Sequence, residues 1–159
     1  MNPPRFVVDT MLGRLARWLR AMGYDTVYLK SAADQRLLQL ALTEDRILLT
    51  RDARLARLAV ARGYRLLADQ VDRQLAEVVD RLGLAPPDAD WLSRCLACNV
   101  LLEPRVKESV RGLVPDYIFA TQTGFVGCPG CGKIYWQGSH ADRIMARLAQ
   151  LLDRRQGRP

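Results

Sequence analysis

The sequence predicts an α/β protein, a parallel sheet flanked by helices, followed by a small cysteine-bearing module that ends in a helix. Three observations predict it. Short apolar runs alternate four times with helical patterns over the first two-thirds of the chain, as in a parallel sheet covered on both faces. The alternation stops at Ala85-Pro86-Pro87-Asp88-Ala89-Asp90, a proline-rich linker. Beyond it lie all four cysteines and seven of the eleven glycines. The boundaries that follow are 1–85 for the α/β domain and 91–153 for the module.

Phe6-Val7-Val8 is the first strand, ending at Asp9. Met11, Leu12, Leu15, Leu19 and Met22 then recur at helical spacing, and Gly23 ends that helix. Thr26 to Leu29 is a second strand, and Asp34 opens a helix with Leu37, Leu38 and Ala41 on one face. Arg46 to Thr50 is a third strand, followed by a helix from Ala53 to Ala61 that stops at Gly63. Tyr64 to Ala68 is a fourth strand, ending at Asp69, and Asp72 to Leu82 a helix stopped by Gly83. The stretch between the cysteine pairs supplies further strands. An amphipathic helix from His140 to Leu152 and a basic tail close the chain.

With 159 residues, 49% hydrophobic and 26% charged, the chain is globular and long enough for a proper core. Twenty-four basic residues against 17 acidic ones give +7, and all the basic ones but Lys30, Lys107 and Lys133 are arginine. Arginine forks bind phosphate bidentately, so the expected partner is anionic, nucleic acid first; an arginine-rich genomic composition accounts for part of the same bias. No apolar run approaches the roughly 18 residues of a membrane helix, and the N-terminus lacks the apolar core of a signal peptide. The expectation is a cytoplasmic protein with no membrane partner, whose cysteines are thiols or metal ligands before disulfides.

Cys95-Leu96-Ala97-Cys98 and Cys128-Pro129-Gly130-Cys131 are two CxxC knuckles separated by 29 residues. Each spacing lets one tight turn present two sulfurs to one ion, and four thiolates complete the tetrahedron that zinc prefers. The pattern predicts a zinc ribbon with Cys95, Cys98, Cys128 and Cys131 as ligands and no open coordination position. Redox dithiols are the alternative.

The aspartates carry the second pattern. Asp9, Asp34, Asp52 and Asp69 each fall where a strand gives way to a helix. In a parallel sheet those points share one edge, where such folds bind ligands. Carboxylates gathered there repel one another, and Mg²⁺ or Mn²⁺ relieves that repulsion. The competing reading is that each aspartate caps a helix. Arg14, Arg17 and Arg20, every third residue of the first helix, form a stripe suited to phosphates or to a solvated face. Thr50 and Arg51 would position phosphate at the end of the third strand. Receiver-type and dehalogenase-type chemistry are excluded by the missing lysine between Lys30 and Lys107 and by the lack of Asp-x-Asp after the first strand. No phosphate-binding GxxxxGK[ST] loop is present, and His140, the single histidine, sits in a helical first turn.

Val8 to Arg20, Asp34 to Leu38, Arg46 to Asp52, Cys95 to Asn99 and Cys128 to Trp136 together resemble the Mut-seven-C RNase domain family, a PIN-like ribonuclease domain fused to a four-cysteine zinc ribbon. The resemblance spans nearly the whole chain. It implies a PIN-like sheet and metal-dependent RNA cleavage, with Asp9, Asp34 and Asp52 holding Mg²⁺ or Mn²⁺. It also implies structural zinc at the four cysteines. The second acid of PIN nucleases is often Glu, where this chain has Asp34, and Asp69 matches the fourth acidic position loosely. The expected function is therefore a metal-dependent ribonuclease. The alternative is a non-catalytic RNA- or ribosome-binding zinc-ribbon protein with a vestigial PIN site.

Overall fold

The computed structural model describes residues 2–85 and 90–156, with side chains as far as residue 153. The linker prolines and the side chains of the basic tail lie outside the described residues.

Four parallel strands, β1 (Phe6–Val8), β2 (Thr26–Tyr28), β3 (Ile47–Thr50) and β4 (Gly63–Arg65), form a sheet in the order β2-β1-β3-β4. Between them run α1 (Gly13–Ala21), α2 (Asp34–Thr43) and α3 (Ala53–Leu58), and α4 (Val71–Leu82) follows β4. Side chains alternate across a strand, and here both sets are buried. Phe6, Val8 and Leu49 pack with Leu15 and Leu19 of α1 and with Leu75, Val78 and Val79 of α4. Val7 and Leu48 pack against Leu37, Leu40 and Ala41 of α2 and Leu55 of α3. Burial on both faces explains why these strands read as continuous apolar runs. A Leu→Ala change at fully buried Leu15, Leu19 or Leu48 is expected to cost about 2–5 kcal/mol.

Two boundaries differ from the sequence reading. The helix expected over 53–61 ends at Leu58, and a 3-10 turn at Val60–Arg62 carries the chain into β4. A side chain at Gly63 would run into the Ala56 carbonyl, so glycine lets β4 start this close to α3. The fourth strand also lies earlier than expected, at 63–65 rather than 64–68. The Glu77 carboxylate accepts the amides of Leu67 and Ala68 at 3.0–3.2 Å, which draws this segment off the sheet.

The second half holds three short antiparallel strands, β5 (Glu103–Arg105), β6 (Phe125–Gly127) and β7 (Ile134–Trp136), in the order β5-β6-β7. A short helix, α5 (Asp116–Thr121), lies between β5 and β6, where the sequence reading placed only strands. The long C-terminal α6 (Ser139–Gln156) packs on α4, with Leu148 fully buried and Arg147 paired with Asp72. The main core crosses the linker. Leu96 and Leu148 belong to the cluster that contains Phe6 and Leu15, and Trp91, Leu92, Tyr135 and Ile144 pack against it. Among the described residues, no helix is long and apolar enough to cross a membrane.

Candidate functional site

The strand order places a topological switch between β1 and β3, because the chain leaves β1 for one side of the sheet and later returns on the other. Ligand crevices in open α/β sheets lie at the carboxyl ends of the strands flanking such a switch. Asp9 follows β1 there and Thr50 ends β3. The register that pairs Val8 with Leu49 brings the next two residues side by side, and Asp9 N–H donates to the Leu49 carbonyl at 2.9 Å. Asp9 is only 6% exposed. One of its oxygens, Oδ2, accepts the Thr50 hydroxyl at 2.6 Å, and Oδ1 accepts the Thr10 amide at 2.6 Å. The Thr50 hydroxyl in turn accepts the Asp52 amide at 3.0 Å. Thr50 is itself fully buried, so it acts as a brace between two aspartates rather than as an exposed phosphate contact.

Asp52 is the N-cap of α3, its Oδ1 accepting the Leu55 amide at 2.9 Å. That hydrogen bond, with help from the Arg54 amide and the Arg54 and Arg57 guanidinia, holds the Asp52 carboxyl below the usual carboxylate range. Asp34 is the first residue of α2, but Ala33 occupies the cap position and no side chain caps that helix. The Asp34 carboxylate is exposed, as is Arg51. The capping reading therefore describes Asp52 and the turn after Asp9, and does not describe Asp34.

Two expectations need correction. Asp69 does not end a strand, because β4 stops at Arg65 and hydrogen bonding to Glu77 diverts the chain before it. Arg20 is not part of an exposed stripe. It is 5% exposed and donates to the carbonyls of Thr26 at 2.9 Å, Leu96 at 3.1 Å and Ala97 at 2.9 Å. A three-residue step advances about 300° around an α-helix, so the third arginine lies roughly 120° from the first. Arg14 and Arg17 remain exposed.

The cysteines form the tighter cluster. Among the described residues, only Cys95, Cys98, Cys128 and Cys131 bring three or more candidate ligand atoms within 4.8 Å of one another. The Cys98–Cys128 and Cys95–Cys131 sulfurs are 3.2 and 3.6 Å apart. Zn–S bonds of about 2.3 Å in a tetrahedron require sulfurs about 3.8 Å apart, so this donor set fits a metal such as zinc. Both knuckles are built alike. After each second cysteine stands a residue at φ +75°, Asn99 in one and Gly132 in the other, a conformation those two residue types tolerate. Each donates its N–H to the first cysteine's carbonyl at 2.9 Å. Burial alone would raise the Cys95 thiol, but the Tyr135 hydroxyl and the amides of Cys98 and Ala97 bring it down to about 6. Cys98 is pushed up to about 12 by burial and by its neighbouring sulfurs. Four thiols this close cannot all ionise without a cation.

The first knuckle is also bonded to the sheet. The Asn99 side chain accepts the Thr26 amide at 2.8 Å and donates to Asp25 at 2.7 Å. Asp25 pairs with buried Arg46 at 2.7 Å. Arg94 donates to the carbonyls of Gly23 and Asn99 at 2.9 and 3.0 Å. The sequence reading places Asn99 beside the knuckle but assigns no role to Asp25, Arg46 or Arg94; the position after each CxxC, filled by Asn or Gly, is the available signal for Asn99.

Comparison with curated proteins and with solved structures gives no significant match. A family model described as the Mut7-C RNAse domain matches residues 4–148, from before β1 to the middle of α6. That span takes in the switch-point aspartates, the arginines of α1 and both knuckles, and the chain belongs to the Mut7-C RNAse domain family.

Proposed function

We propose that this protein is a metal-dependent ribonuclease, with Mg²⁺ or Mn²⁺ held at the sheet edge by Asp9, Asp34 and Asp52 and with structural zinc at the four cysteines. The observation that carries this reading is Asp9, a 6%-exposed carboxylate at the switch point of a parallel sheet, oriented by the Thr50 hydroxyl. Family membership supports RNA as the substrate class. Among the described residues the carboxylates do not gather into a closed cage, so Asp9 with one neighbour would touch the ion directly and the remaining carboxylate would hold it through the several waters that Mg²⁺ keeps. Oδ2 of Asp9 keeps a lone pair after accepting the Thr50 hydroxyl, whereas Oδ1 accepts both the amide of Thr10 and, at 3.3 Å, its hydroxyl. A bound ion supplies Lewis acidity and lowers the pKa of water. The chain's own residues do the positioning. Thr50 fixes the Asp9 carboxylate, Asp52 is held by the same hydroxyl and by the Leu55 amide, and Asp34 projects from the uncapped start of α2. Arg14, Arg17 and Arg51 offer exposed cations to the phosphates.

A specific observation favours a second reading. Asp9 and Asp52 spend their oxygens on hydrogen bonds that stabilise local turns, as they would in a non-catalytic RNA- or ribosome-binding protein with a vestigial site. Asp9→Asn separates the two. Asn caps about as well as Asp, so fold and RNA binding persist in either case. With limiting Mn²⁺, loss of a ligand lowers RNA cleavage by more than the roughly 10–100-fold produced by outer-shell changes. Wild-type cleavage rates in the variant, with contaminating nuclease excluded, establish the vestigial reading instead.

A further inference from the structure

A groove of about 290 Å³ lies between α1, the first knuckle and the start of α6. Arg14, Arg17 and Trp18 line one wall, His140 and Ile144 the other, and Leu96 its end. The proposed reaction uses Arg14 and Arg17 of this lining and gives no role to Trp18, Leu96, His140 or Ile144. It begins at Arg14, in the first turn of α1, directly after the turn capped by Asp9. It runs toward Ala21, a distance of about 10 Å at ~1.5 Å rise per residue. Its lining combines two exposed arginines with the Trp18 ring, the His140 imidazole and the aliphatic Ala21, Leu96 and Ile144, and contains no carboxylate. Its volume is close to the ~300 Å³ lower end of ligand pockets, room for one planar base but not for a duplex.

We infer that this groove holds one unstacked nucleotide of single-stranded RNA, its base against Trp18 and Ile144 and its flanking phosphates on Arg14 and Arg17. The inference rests on the ribonuclease reading and deepens it, making the preferred substrate a single strand that leaves the Asp9 edge along α1. The occupant follows from charge and shape together. Single-strand binders combine a cationic track with an aromatic platform, because every base has a π face. The wall of His140 and Ile144 comes from α6, so only the docked C-terminal helix completes the groove.

The test is fluorescence anisotropy with labelled 12-nucleotide single-stranded RNA and a 12-base-pair RNA duplex, with no divalent cation added. Wild-type protein should prefer the single strand. Trp18→Leu should weaken single-strand binding by about five- to 150-fold, the loss of one base–aromatic stack, and Trp18→Phe should restore most of it. Because Trp18 and Ile144 both pack against the core, His140→Glu serves as a second variant, placing a negative charge in the groove at an exposed position of α6. It should weaken the single strand in the same way. Replacing Arg14 and Arg17 by Ala should flatten the log–log salt dependence by about 0.7 for each phosphate no longer neutralised. Unchanged single-strand affinity in folded Trp18→Leu and His140→Glu overturns the groove while leaving the ribonuclease reading intact. Equal losses for strand and duplex, or Trp18-dependent binding of a polyglutamate peptide in place of RNA, overturn it as well. Failure of the wild-type protein to bind either RNA overturns the groove, and the ribonuclease reading is then decided by the Asp9→Asn cleavage assay with Mn²⁺.

Discussion

Arg20→Met removes a guanidinium that joins α1, β2 and the first knuckle. Its three hydrogen bonds, to the carbonyls of Thr26, Leu96 and Ala97, disappear. Hydrogen bonds to charged groups contribute roughly 1.5–3 kcal/mol each, about 5–9 kcal/mol in all. Part of that is offset, because burying a guanidinium costs several kcal/mol. Burial lowers the pKa of Arg20 against the attraction of the Cys95 and Cys98 sulfurs. Methionine fills much of the same channel but leaves three carbonyls without donors. The expected net loss is about 3 kcal/mol, or roughly 6–12 °C in Tm for a chain of this size. Leu96 and Ala97 are the two residues between the first pair of cysteines, so zinc loaded on the four-cysteine cluster should also pass faster to a chromogenic chelator. Thermal melts by circular dichroism and the chelator assay, run side by side, measure both effects. RNA affinity should change little, since this side chain is buried. A melt within about 1 kcal/mol of wild type, or a fall in RNA affinity matching that of an Arg14 variant, would refute the assignment of Arg20 as a brace.

Two further predictions follow from the same network. Cys98→Ser should abolish stoichiometric zinc in elemental analysis. Because the core crosses the linker, it should also lower the melting transition of the whole chain; retained zinc, or a helical melt unchanged by the variant, defeats this. Asp25 is held below the usual carboxylate range: burial alone would raise it, but hydrogen bonds from Arg46 and Asn99 outweigh that. Its contribution to stability is therefore fully present above its unfolded pKa of about 4 and is lost as pH falls through the lower folded value. Asp25→Asn should cost about 1–3 kcal/mol in urea melts near neutral pH and narrow the gap from wild type in acid. A constant gap across that range rules out the ion pair as its origin.

The strands and helices were legible where one physical signal dominated. Burial on both faces made β1 and β3 continuous apolar runs, and helical spacing marked α1 and α4. Side-chain parity and register explain the site in retrospect: residues 7 and 9 share one face of β1's line and 48 and 50 one face of β3's, so Asp9 and Thr50 meet, a contact the sequence analysis did not draw. The errors have equally local causes. The segment after Arg65 reads as a strand from its apolar residues, but Glu77, two turns into α4, takes its amides. The arginine stripe fails at Arg20 because a spacing of three drifts around a helix, and because two of its carbonyl partners lie 76 and 77 residues away. Such long-range pairing leaves no trace in local pattern. Helix α5 is only six residues long, too short for periodicity to announce.

The tie between the knuckle and the sheet gives the cysteine module a role beyond its own fold. The parallel sheet consists of strands of three or four residues, and β2 is one of its edges. An edge strand presents unpaired backbone groups to solvent and to other chains. Here the Thr26 amide is taken by the Asn99 side chain and its carbonyl by Arg20, so the first knuckle occupies the edge without adding a strand. Domains below about 80 residues rarely gain more than a few kcal/mol from a single core and depend on disulfides, metals or further packing. The α/β portion lies close to that size. Four cysteines holding a metal fix the knuckle, the knuckle fixes Arg20 and Asn99, and these fix the end of α1 opposite the Asp9-capped turn. The metal centre and the carboxylate edge thus stabilise opposite ends of one helix, and loss of the metal should loosen the helix that carries Arg14, Arg17 and Trp18.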